Sequence, residues 1–399
     1  MGRAPPLRLV LVLIVVAILA GGLLALIQGP SHRNALPQGG SRFAETGTPA
    51  SGESLLDALA PLLSSVGASA GGGSGSANPA LARDVAQLFV IGIDANASTA
   101  ARLRAHDWGG VVLGKANYFS ASQLAGLTQG IRASLTTPPL ILARQGGGES
   151  NAFPDMAPDS EPELGAAGRT DLVNGQSQLA ARELRQVGVN GTLAPDADLA
   201  DPNGPAAGRG YGTSPATVGM LTAAAVSGYR TGGLIAAVGH FPGEGAADRD
   251  PELGTATVGL TMASLSADDM APFRAVTGDA PVIQVSDALY TALDDGASPA
   301  TLLPGAISLL TGKLGFDGAV MSGDLQAAAS ATGGTVAAAA VSAVEAGCDL
   351  LYLPGDAADA ESAYEAVLAA VGTGAITKGR LAAADARVAA LKRTYHVVG

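Results

Sequence analysis

Leu234-Ile235-Ala236-Ala237-Val238-Gly239-His240 is an apolar run ending in a histidine, set between two longer amphipathic stretches at Pro215–Thr231 and Ser264–Ala275. A short, continuous apolar run bounded by glycines is what a strand buried on both faces requires. The same unit recurs on either side. Strand-like runs fall at Gln87–Ile93, Gly109–Gly114, Leu140–Arg144, Val189–Pro195, Pro281–Ser286, Ala319–Ser322 and Asp349–Leu353. Helix-like stretches fall between them, at Ser98–His106, Ala121–Leu135, Leu172–Val187, Pro304–Leu314, Val336–Glu345 and Ala357–Val371. Eight strands, each followed by a helix, predict an α/β protein built as a parallel (β/α)8 TIM-like barrel. A doubly wound open sheet is the alternative, but such sheets seldom use so many evenly spaced units. A last segment, Lys378–Tyr395, carries Leu381, Val388 and Leu391 at helical spacing and is expected to close the fold.

Composition narrows the function classes. The chain has 399 residues, with 23 Lys+Arg against 35 Asp+Glu, a net charge of −12. That is the reverse of the basic footprint of a nucleic-acid binder, so no nucleic-acid partner is expected. One cysteine, Cys348, and four scattered histidines exclude an intrachain disulfide framework and offer no zinc motif, so neither a metal nor a cofactor is expected.

At the N-terminus, Arg3 and Arg8 precede Leu9–Ile27, an uncharged apolar stretch. About 20 such residues span a hydrocarbon core, and flanking arginines favour the cytoplasmic side. The expected layout is a cytoplasmic segment at 1–8, a single-pass transmembrane signal-anchor at 9–28 and an extracytoplasmic remainder. A cleaved signal peptide is the alternative. Residues 29–80 are rich in Gly, Ser, Pro and Ala and read as a flexible linker, with apolar spacing at 54–66 compatible with a short helix. The barrel is expected over 81–399.

In such a barrel, chemistry sits at the C-terminal ends of the strands. The segments to inspect are therefore Arg144–Ser150, Asp196–Gly212, His240–Leu253, Asp287–Tyr290 and Ser322–Leu325. Here Val238-Gly239-His240-Phe241-Pro242-Gly243-Glu244-Gly245 resembles the K-H-F-P-G-H-G signature of glycoside hydrolase family 3. The resemblance is to the bacterial β-N-acetylglucosaminidase-like branch, which trims peptidoglycan fragments. Trp108-Gly109-Gly110, Gly208-Arg209-Gly210-Tyr211-Gly212, Gly315-Phe316-Asp317-Gly318 and Glu345-Ala346-Gly347-Cys348-Asp349 extend it over about 82–396.

The resemblance implies where a retaining glycosidase would hold its nucleophile and its proton donor, two groups ~5–5.5 Å apart when both are carboxyls. The nucleophile, the first Asp of a T-D-x-L motif, falls on Gly323 in Ser322-Gly323-Asp324-Leu325. Asp324 follows one residue later, and a one-residue step along a strand should turn its side chain to the other face. The loop that carries an Asp–His acid in the family reads Asp250-Pro251-Glu252 here, so Glu252 takes the acid/base position. With Asp248 and Asp250 close by and Pro251 stiffening it, this loop reads more readily as an acidic surface segment.

Sugar ligands are depleted as well. The family's sugar-binding Asp falls on Arg144, its signature Lys on Gly239, its second signature His on Glu244 and a later His on Asp287. Arg209 and His240 remain as substrate-binding candidates, although each reads equally as structural, the first as an ion-pair partner and the second as a strand-end hydrogen bonder. A cation at 144 would pair with Glu244, Asp287 or Asp324 and fill the pocket from within. Gly146–Gly148 lacks the Lys and Ser/Thr of a phosphate loop, and Trp108 reads as core.

Two functional expectations follow. One is a catalytically inactive pseudo-glycosidase whose partner is a peptidoglycan or muropeptide glycan, or an envelope protein. The other is an active exo-β-N-acetylhexosaminidase with a rearranged pair, Asp324 as nucleophile and Glu252 or Asp250 as acid.

Overall fold

A computed structural model describes residues 78–397, apart from 94–97, 149–150, 202–203, 205 and 295. Eight parallel strands close into a barrel: β1 Phe89–Gly92, β2 Gly110–Leu113, β3 Leu140–Ala143, β4 Gly191–Thr192, β5 Ile235–Phe241, β6 Val282–Val285, β7 Ala319–Asp324 and β8 Leu350–Leu353. Closure runs through β1, which pairs with β2 at Val90↔Gly110 and with β8 at Phe89↔Leu351.

The side-chain alternation of a strand divides the core in two. Inward-facing Val90, Leu142, Ile235, Ala237, Val282, Met321 and Tyr352 fill the barrel, and Val388, Leu391 and Tyr395 continue that cluster below it. Outward-facing Phe89, Ile91, Val111, Ile141, Val238 and Ile283 pack against the helices. Trp108 is buried, with its ring edge-on to Phe89 at 5.8 Å.

The closing helix, Lys378–Thr394, covers the N-terminal ends of the strands. Arg380 and Arg387 on it reach the buried Asp349 carboxylate at 3.0 and 3.3 Å. Lys392 is buried and donates to Gln87 Oε1 at 2.7 Å.

Local chemistry moved several expected boundaries. The fourth strand keeps only Gly191–Thr192 in the ladder, because Pro195 has no N–H to offer. The helix expected over Ser264–Ala275 breaks into Met262–Ala267 and Ala271–Arg274, with Pro272 at the start of the second piece. Pro304–Ser308 winds on into a π-helical turn at Leu309–Lys313. The first described helix, Pro79–Ala86, straddles the linker boundary expected at 80; the Asn78 side chain caps it. Glu161–Ala167 and Leu325–Thr332 are additional helices. The cytoplasmic segment, the transmembrane span at 9–28 and the helix at 54–66 lie outside the described residues. No single helix among the described residues is long and apolar enough to cross a membrane.

Candidate active site at the barrel mouth

The ends of β4 and β5 bring four carboxyls around two cations. The His240 imidazole donates from Nδ1 to Asp198 Oδ2 at 2.9 Å and lies 3.6 Å from Glu244 Oε2. The Arg209 guanidinium lies 3.2 Å from Asp196, 3.3 Å from Asp250 and 3.9 Å from Glu244. Backbone groups lock the set in place. Asp198 Oδ1 accepts from the Glu244 N–H at 2.6 Å, and Asp196 Oδ1 accepts from the Asp198 N–H at 3.0 Å. The buried Glu161 accepts from Asp196 N–H at 3.0 Å and Gly210 N–H at 3.1 Å, tying the β3 and β4 loops together.

Protonation follows from this crowding. Burial opposes charging of His240, but Glu244, Asp198 and Asp196 outweigh it and hold the imidazole up at about 10. Burial and the Asp198 charge push Asp196 up to about 7 against Arg209 and His240. Burial also raises Glu244, opposed by His240. Among carboxyls competing for too few cations, some retain protons at neutral pH. Asp196, Asp198 and His240 also bring potential metal-ligand atoms within 4.8 Å of one another; Arg209 already supplies positive charge there.

Across the mouth, β6 and β7 bring Asp287 against Gly323, the position where the resemblance implies a nucleophile. A Cβ built on Gly323 would lie no farther than 2.5 Å from Asp287 Cγ and both of its carboxylate oxygens. The Asp287 carboxyl therefore occupies the space where any side chain at 323 would begin. Its Oδ2 accepts from the Asp324 N–H at 2.6 Å, while Oδ1 is buried without a hydrogen-bond partner. Burial, with the Asp324 and Glu244 charges, raises the Asp287 pKa well above the carboxylate range. The Gly323 N–H is itself taken by Thr301 Oγ1 at 3.0 Å.

Other expected residues fall as follows. Asp324 does not turn away from the mouth as strand alternation predicts. It ends β7, lines a mouth cavity of about 310 Å³ and caps the next helix by accepting from the Gln326 N–H at 2.8 Å. The strand terminates at that residue, so strict two-fold alternation no longer fixes its direction. Asp250 is no surface acid; it is turned inward onto Arg209. Glu252 lies in the one-turn segment Pro251–Leu253, whose Leu253 is exposed. Gly239 in β5 leaves room that Gln284 approaches, with Oε1 3.7 Å from where a Cβ would stand. His240 is an ion-pair partner and not a backbone satisfier.

Arg144 does not fill the pocket. It lines the 310 Å³ cavity together with Glu244, Asp287 and Asp324, a second of about 560 Å³ and a third of about 40 Å³. Gly147 and Gly148 have positive φ, and a Cβ on Gly147 would strike the Asp159 backbone, so these glycines serve loop packing. Sequence reasoning missed Asp196, Asp198 and Glu161. Only the Ser160-x-x-Glu163 capping box hinted that a helix, and with it Glu161, stood at the mouth.

The profile of the glycosyl hydrolase family 3 N-terminal domain matches residues 80–391, so the chain belongs to that family. It falls on the bacterial β-N-acetylglucosaminidase-like branch. A β-hexosaminidase of Stenotrophomonas maltophilia is 32% identical over 282 residues, covering 67% of this chain and 83% of that protein. The solved structure of a family 3 β-N-acetylglucosaminidase from Paenibacillus sp. str. FPU-7 superposes with a TM-score of 0.76 at 31% identity. That match covers 80% of this chain, which spans only 63% of the Paenibacillus chain. A β-N-acetylhexosaminidase structure from Beutenbergia cavernae gives 0.72 at 28% identity, covering 78% of this chain and 98% of that one.

Proposed function

We propose that this chain is a non-hydrolytic member of its family, a pseudo-glycosidase that holds a glycan of the cell wall without cleaving it. The observation that carries the reading is the Asp287 carboxyl standing in the volume of the absent nucleophile side chain. Recessed there, with one oxygen held by the Asp324 backbone, it is poorly placed to attack an anomeric carbon. The substrate-binding candidates Arg209 and His240 persist at the mouth beside open cavities, which suits binding. The apolar stretch at 9–28 supports a membrane-tethered, extracytoplasmic placement, with the linker at 29–80 giving the barrel reach toward the wall. An envelope protein is the partner if no glycan binds.

The competing reading, an active exo-β-N-acetylhexosaminidase, draws on Asp324 lining the cavity. Of its two proposed acids, Glu252 and Asp250, the second is engaged by Arg209, and Asp324 Oδ1 is engaged as a helix cap. The full-length protein incubated with a muropeptide and with a chromogenic N-acetyl-β-glucosaminide separates the two. Calorimetric binding of an intact muropeptide, weakened by Arg209→Ala and His240→Ala, supports the proposal. Turnover abolished by Asp324→Ala contradicts it.

A further inference from the structure

We propose that a groove at the floor of the barrel seats the chain's own residues 54–66, a contact independent of the reading given to the mouth. The groove, about 400 Å³, runs between Pro79–Ala86 and the closing helix Lys378–Thr394. Ala80, Leu81, Leu381, Ala382 and Ala386 give it an apolar lining. Leu81 is only half-buried, and Ala80, Ala382 and Ala386 are exposed, so apolar surface stays open there. The charged lining residues are Asp84, Lys378 and Asp385. Asp84 lies 3.8 Å from Arg83. Burial and the Asp84 charge raise the Asp385 pKa against Lys392 and Arg83. Lys378 makes no ion pair among the described residues.

The chain itself supplies an occupant of matching chemistry. Asn78 both caps the first helix and lines the groove, so the residues before it enter at that point. Within 54–66, which lies outside the described residues, Leu55, Leu56, Leu59, Leu62, Leu63 and Val66 recur at helical spacing. Ser54 followed by Asp57 is the pattern of a capping box, and Pro61 would kink such a helix rather than scatter its apolar face. The eleven residues 67–77 are Gly, Ala and Ser alone. A Gly-rich chain of that length spans roughly 17–20 Å, enough to turn residue 66 back onto the groove. So short a tether keeps the segment at millimolar local concentration. Asp57, the segment's one charge, is complementary to Lys378. Seating the segment shortens the proposed linker from 29–80 to 29–53, so docking sets the barrel's reach.

The test is disulfide trapping in the full-length protein, whose one native cysteine, Cys348, is buried. Leu59→Cys is combined with Ala382→Cys in the groove or, as a control, with Leu253→Cys on the exposed tip of a mouth loop. The disulfide within one chain should form at least about tenfold faster in the groove pair, because a seated segment outpaces a merely tethered one. Leu56→Asp should remove that advantage, and Lys378→Gln should slow trapping by about twofold, as for an exposed ion pair. A groove pair no faster than the control overturns the proposal. So does a fast rate that neither Leu56→Asp nor Lys378→Gln slows. A disulfide between two chains, read as a dimer on a non-reducing gel, assigns the groove to a second copy and overturns it as well. Should the Ala382→Cys chain not fold, Ala386→Cys takes its place with the same outcomes.

Discussion

At the mouth, Arg209 and His240 sit among Asp196, Asp198, Glu244 and Asp250. At the floor, Lys392 sits on the helix that carries Val388 and Leu391 into the apolar core, with the neutral Gln87 Oε1 as its hydrogen-bond partner. The same cost of burying charge is met in opposite ways. Carboxyls hold His240 charged up to about 10 against its burial, whereas burial pushes Lys392 down to about 8. The floor tolerates a cation by making it easy to discharge, which suits a purely structural position. The mouth keeps its cations charged and its carboxyls crowded, an arrangement that stability alone would not select.

Breaking the mouth network should have the largest effect. Arg209→Ala leaves Asp196, Glu244 and Asp250 facing one another and should cost about 3 kcal/mol at neutral pH, the low end for breaking a buried ion pair. Part of that loss should return as pH falls toward about 7, because without the Arg209 charge that holds its pKa down Asp196 takes up its proton at higher pH than in the wild type. Urea denaturation at two pH values measures both.

His240→Gln should cost about 2 kcal/mol, the scale of a hydrogen bond between charged groups. Because the folded pKa lies above the ordinary 6.5, the stability from the His240 cation is full below pH 6.5 and is lost as pH rises through about 10. The gap between wild type and variant should shrink over that window.

The floor should respond in the other direction and less strongly. With Lys392 lowered from 10.5 to about 8, the unfolded chain binds its proton more readily between those values, so stability rises with pH across them. Lys392→Met should remove that rise while changing stability at pH 7 by under about 1 kcal/mol, as apolar replacements of buried charge often do. A rise that persists in the variant would break the contrast between the two ends.

The frame was legible because it is written in local pattern. Runs such as Leu140–Ala143 and Leu350–Leu353 are apolar throughout, and only strands buried on both faces read that way. Gly323, Arg144, Glu244 and Asp287 were also visible as departures from a motif. Their joint meaning was not. Asp287 and Gly323 are far apart in the chain, and only closure of β6 against β7 puts the carboxyl of one in the space left by the other. Asp196 and Asp198 were similarly hidden in an ordinary loop, since their role depends on His240 and Arg209 arriving from other elements. The inward turn of Asp250 and the cavity-facing position of Asp324 escape sequence reasoning because alternation and loop composition say nothing about tertiary ion pairing.

Whether Asp287 has taken the nucleophile's place is tested most directly by a double-mutant cycle between positions 323 and 287. Gly323→Ala should destabilise the wild-type chain by about 1–3 kcal/mol, as overpacking does, since its methyl group meets the Asp287 carboxyl. With Asp287→Ala already in place the same substitution should cost far less, giving a clear non-additive coupling in thermal or urea unfolding. Equal costs in the two backgrounds would mean that Asp287 does not fill that space, and the non-hydrolytic reading would lose the observation it stands on.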